Sequence, residues 1–104
     1  MVEEKNFEQI TIIVQSRDEK KLLWALREVK APGITYFYGH GTGVRERYDL
    51  PAGSVQGEKV VFITVVPPDI TESILRAVSK AVDLEQPGRA FVTIQKVTKV
   101  LGYF

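Results

Sequence analysis

A chain of 104 residues with 44% hydrophobic and 26% charged side chains has the composition of one folded domain, not of a disordered segment. A formal net charge of +1 gives no dominant basic face for a nucleic acid, and no apolar run is long enough to span a bilayer. The lack of cysteine excludes a disulfide frame and thiol chemistry, which fits a reducing cytoplasm. Met1 to Lys5 is acidic and is followed by no apolar h-region, so no signal peptide is expected.

The first element in the chain is a strand over 7–15, where Ile10, Ile12 and Val14 alternate with Thr11 and Ile13. Ser16 and Glu19 then have the spacing of a capping box, in which hydroxyl and carboxylate each reach the other residue's amide. Leu22, Leu23, Leu26 and Val29 follow at helical spacing, and Pro32-Gly33 closes the segment, so a helix is expected over about 17–30. Trp24, beside Leu23, is expected to pack in the core or in a subunit contact. The second strand, 34–39, carries Ile34, Tyr36 and Tyr38 on one face and Thr35 and Phe37 on the other.

It runs into Gly39-His40-Gly41-Thr42-Gly43, three alternate glycines whose backbone can approach a phosphate or a ring closely. A tight hairpin exit explains the same residues equally well. No Gly-Lys-Ser/Thr follows, so this is not a P-loop. Residues 44–57 contain Pro51 and Gly53 and show neither period; a connection of that length in a compact domain is commonly functional. The third strand, Glu58 to Val66, is the strongest β pattern in the chain and ends at Pro67-Pro68. Asp69 and Glu72 repeat the capping-box spacing, and Ile74, Leu75, Val78 and Val82 mark a second helix over about 70–82. The loop 83–89 ends in Gly88-Arg89, a glycine beside a guanidinium that suits a phosphate, and delivers the fourth strand, Ala90 to Val97. The tail, 98–104, is too apolar to be a solvated end and should pack on the domain or on a neighbour.

The order βαβ–βαβ predicts an α+β, ferredoxin-like βαββαβ domain over 1–104, a four-stranded antiparallel sheet with two helices on one face. The other face of that sheet has no cover within the chain, so a cyclic oligomer is expected, most simply a trimer. His40 is the single histidine, which on a loop is more often a surface hydrogen-bonder than a metal ligand or base. No acid, base and nucleophile come together in the sequence, which favours a binding protein over an enzyme.

Four pieces of this sequence resemble the PII signal-transduction family, small trimeric ferredoxin-like regulators. Gly33-Ile34-Thr35 resembles the opening of the family's second strand, and Gly39-His40-Gly41-Thr42-Gly43 the base of its large T-loop. Val65-Val66-Pro67-Pro68-Asp69 is similar to the exit from its third strand, and Pro87-Gly88-Arg89-Ala90-Phe91-Val92 resembles its nucleotide-binding B-loop. The resemblance implies a T-loop equivalent at 44–57, shorter than usual, a B-loop equivalent at 83–89, and ATP, ADP or AMP bound between subunits. By the same resemblance Thr35 and the Val65 backbone would meet the adenine. Gly39, Gly41, Thr42 and Gly43 would line the nucleotide, Gly88 and Arg89 would hold its phosphates, and Lys99 would reach in from the adjoining subunit. The implied role is control of a partner protein, a membrane transporter or an enzyme, through 44–57. A trimeric scaffold that binds no nucleotide, and a metal-binding trimer gathering three copies of His40, are the competing readings.

Overall fold

The computed structural model describes residues 2–3, 6–41 and 58–102. Its strands are β1 (Val2–Glu3), β2 (Phe7–Gln15), β3 (Ile34–His40), β4 (Glu58–Val66), β5 (Ala90–Val97) and β6 (Val100–Leu101). A 3-10 turn, Ser16–Asp18, leads into helix α1 (Glu19–Glu28), and helix α2 (Pro68–Ala81) joins β4 to β5. The main sheet has the antiparallel order β3-β4-β2-β5, which makes β2 parallel to β3 and β4 parallel to β5, each pair with one strand between. Each helix makes the crossover within such a pair, and α1 and α2 pack side by side on one face.

The alternation in β2 and β4 sets which face is dry. Ile10, Ile12 and Val14 of β2 and Val60, Phe62 and Val66 of β4 are buried under Leu22 and Leu26 of α1 and Ile74 and Val78 of α2. Tyr36 stacks on Phe62 at the β3 edge, with centroids 5.2 Å apart. Thr71 of α2 donates its hydroxyl proton to Glu8 Oε1 and so ties that helix to β2. The opposite face presents Ile13, Val61 and Ile63 half-buried, with Phe37 and Phe91 49% and 59% exposed. None of the described residues covers it.

The helix termini differ from what the spacing predicts. Neither capping box forms. Ser16 opens the 3-10 turn, α1 starts at Glu19, and the Asp18 carboxylate at the N-cap position is turned away to Arg89. The second helix begins at Pro68, ahead of Asp69, because proline is well suited to a first helical position where no amide bond is needed. At the other end of α1, Lys30 takes a left-handed φ of 57°. The Ala31 amide then bonds the Leu26 carbonyl and the Lys30 amide the Arg27 carbonyl, both at 3.0 Å, the pattern of a Schellman stop. Pro32-Gly33 lies just beyond it. Trp24 is 65% exposed and belongs to no core, because it stands opposite Leu22 and Leu26 on the helix. The tail forms β6, which pairs with β1 as a separate two-stranded ribbon that the sequence pattern does not announce.

Candidate functional site

Antiparallel pairing brings distant parts of the chain to one end of the sheet. Gly39 lies opposite Lys59, Lys59 opposite Gln15, and Val14 opposite Ala90. The C-terminal ends of β2 and β3 therefore meet the N-terminal ends of β4 and β5. A cavity of about 390 Å³ opens there, with Gly39, His40, Gly41 and Lys59 on one side and Gly88 and Arg89 on the other. Its apolar floor is the open sheet face, Ile13, Val61 and Phe91.

The glycines behave differently from one another. Gly88 has a φ of 78°, which a side chain would strain, and Gln15 Nε2 donates to its carbonyl at 2.7 Å, pinning the loop to β2. Gly39 and Gly41 have no positive φ. Among the described residues, a Cβ built on Gly39 meets no atom within 4 Å, and one on Gly41 makes only ordinary contact with Lys59 Cγ at 3.8 Å. The packing of the described residues does not require glycine at either position. The hairpin explanation for them accordingly has no geometric support at Gly39 or Gly41.

Arg89 is held by an acid that spacing alone leaves unremarked. Its Nε donates to Asp18 Oδ2 at 2.9 Å, Nη2 to Asp18 Oδ1 at 3.2 Å and Nη1 to Gln86 Oε1 at 3.4 Å. The Arg89 and Asp18 side chains are 20% and 4% exposed. The hydrogen bond to Asp18, with the nearby charges of Asp18 and Asp83, holds the guanidinium above its ordinary value, against a smaller opposing effect of burial. A guanidinium has five N–H donors, so two remain for a ligand, from a pair whose charges already balance. Asp18 is what the sequence reading missed. As Asp18-Glu19 it looks like a helix-start acid, and only the fold brings it to a residue far along the chain.

The cavity thus gathers Gly39, Gly41, Gly88 and Arg89. Thr35 lies four residues back from Gly39 on the same open face, about 13 Å along the strand, and Val65 lies farther still, opposite Gln9. Lys99 follows the far end of β5, a strand length from Arg89. Thr42, Gly43 and 44–57 are outside the described residues. Among the described residues no group of three or more His, Cys, Asp or Glu could hold a metal ion, and no helix is long and apolar enough to cross a membrane.

No curated protein matched the sequence. Among solved structures, the fold is similar to a PII-like signalling protein of Thermus thermophilus, with a TM-score of 0.67 and 19% identity over 93% of this chain and 91% of that one. It is also similar to CPII of Thiomonas intermedia, a nitrogen regulatory PII-like protein solved bound to ADP, AMP and bicarbonate. That likeness has a TM-score of 0.72 and 13% identity and covers both chains in full. At these identities the likeness is one of fold. The family model for nitrogen regulatory protein P-II matches residues 7–101, and with the βαββαβ sheet this places the chain in the P-II family.

Proposed function

We propose that this chain is a regulatory protein that takes an adenine nucleotide into the Gly39–Arg89 cavity and, in response, changes the surface that 44–57 offers to a partner protein. One observation carries the reading. His40-Gly41 and Glu58-Lys59 are the two stems of the intervening segment, and the cavity lies against both. A ligand bound there touches the place where that segment leaves and rejoins the sheet, so its binding energy can differ between arrangements of the segment. The bare main chain of Gly39 and Gly41 suits a phosphate or a ring, and CPII, of the same fold, was solved with ADP and AMP. Its floor is the uncovered sheet face, so a second copy placed on that face would enclose the site, in a cyclic trimer as the simplest assembly. Thr35, Val65 and Lys99 would then belong to contacts that form only between copies.

Calorimetric titration with ATP, ADP and AMP, with the mass in solution measured alongside, tests this. The expected result is saturable binding of one nucleotide per chain. Arg89→Ala is a poor companion variant, since it strands a buried Asp18 carboxylate. Gly39→Ala is the cleaner one, because its methyl group meets none of the described residues but points to the ligand's side of the strand. It should weaken nucleotide binding about tenfold at unchanged thermal stability, a loss of roughly 1.4 kcal/mol. A trimer that binds none of the three nucleotides would instead support a scaffold of the same fold, a reading favoured by the charge balance between Asp18 and Arg89.

A further inference from the structure

The outer face of α1 pairs an exposed indole with unpartnered cations. Leu22 and Leu26 point to the core, so Trp24 stands near the centre of the opposite face. Lys20 and Lys21 lie one turn before it, Arg27 one turn after, and Arg17 and Lys30 flank the helix; all five are exposed. None of the five forms an ion pair with a described residue. Of the described acids nearby, Asp18 is bound to Arg89 and Glu19 Oε1 accepts from Tyr38, which leaves Glu28 as the one described carboxylate on the face without such a bond.

We infer that this face docks an acidic protein segment, one that sets an apolar side chain against Trp24 and carboxylates against Lys20, Lys21 and Arg27. Tryptophan at the centre of a contact patch, ringed by charge, is the arrangement that concentrates binding energy in one anchor and uses the rim for steering. The charge sign selects an anionic partner. A bilayer fits poorly: Leu22 and Leu26 are locked in the core, so Trp24 alone could enter a lipid interface. Single-stranded nucleic acid fits poorly as well. The surface is convex, about 15 Å long and carries one aromatic, whereas such ligands are held in grooves with successive stacking platforms. The face points away from the open side of the sheet, so an assembly that covers that side leaves it free. The inference does not depend on nucleotide binding.

Trp24 is the single tryptophan, so its emission reports this face alone. The intact protein would be titrated with a short synthetic peptide of glutamates interrupted by leucines, at low salt and again at about 0.5 M salt, where the screening length falls below about 5 Å. The expected result is a saturable blue shift with affinity at least about tenfold weaker at high salt. K20E/K21E, whose folding is checked by circular dichroism, should lose at least about tenfold of the low-salt affinity, read by anisotropy of labelled peptide. Trp24→Ala should lose a similar factor in the same assay. An unshifted emission at low salt, or equal binding by the charge-reversed variant, overturns the inference. So does tighter binding to phosphatidylglycerol vesicles or to oligothymidylate than to the peptide.

Discussion

Tyr38 donates its phenolic proton to Glu19 Oε1 at 2.8 Å, across the gap between the β3 edge and the start of α1. That bond, then burial, and the negative charges of Glu19, Tyr36 and Glu58 raise the phenol above its ordinary value of 10.0. A group raised in the folded state supports folding fully below its unfolded value and loses that support as pH rises through its folded value. The contribution of Tyr38 is therefore intact at neutral pH and disappears only above pH 10. Tyrosinate absorbance should show a late-titrating step that Tyr38→Phe removes and Glu19→Gln moves back toward the ordinary value; a curve unchanged in both variants would refute the assignment. The same residue shows what could and could not be read in advance. Alternation puts Tyr36 and Tyr38 on one side of their strand, but nothing in the spacing pairs a tyrosine with a helix-start glutamate, or Asp18 with Arg89. Both pairs are tertiary, between segments that meet only once the sheet has formed.

At the scale of elements, hydrophobic period carried most of the information. The strands over 7–15, 58–66 and 90–97 fall where alternation and β-branched runs put them: in the first two alternate residues are buried under the helices, and 90–97 is the edge strand whose apolar residues pair along the first. The helix ends were less legible. Capping spacings at Ser16 and Asp69 match a rule whose bonds compete with tertiary partners, and at Asp18 the partner wins. The Schellman stop at Lys30 was hidden because the position usually held by glycine is lysine, with Gly33 three residues later. A side chain in the left-handed region costs roughly 1 kcal/mol relative to glycine. Lys30→Gly should thus raise unfolding stability by up to about 1 kcal/mol, seen as a higher urea midpoint at unchanged slope. A lower midpoint would mean that Lys30 contributes more through its side chain than its backbone costs.

At the scale of the molecule, the open sheet face and the cavity are one continuous surface, since Ile13, Val61 and Phe91 belong to both. Large apolar patches are uncommon on monomers, and Phe37 and Phe91 alone leave two aromatic rings in water. If copies of the chain cover this face, assembly and ligand binding are linked, because the walls that complete the site come from a neighbour. Phe37 separates the two ideas. It projects from the open face of β3 yet does not line the cavity, so its substitution alters the covered surface without changing any wall of the site within the chain. Phe37→Glu should convert the assembly to monomers in sedimentation, since burying an unpaired carboxylate in an apolar contact costs several kcal/mol. Its fold should survive, as the wild-type ring is already about half exposed in the isolated chain. If the nucleotide sits between copies, the monomer should also lose at least about tenfold in affinity for ADP, more than 1.4 kcal/mol. A folded monomer that binds ADP as tightly as the parent would place the whole site within one chain. In that case Thr35, Val65 and Lys99, which the fold keeps apart from Arg89, would have no part in it.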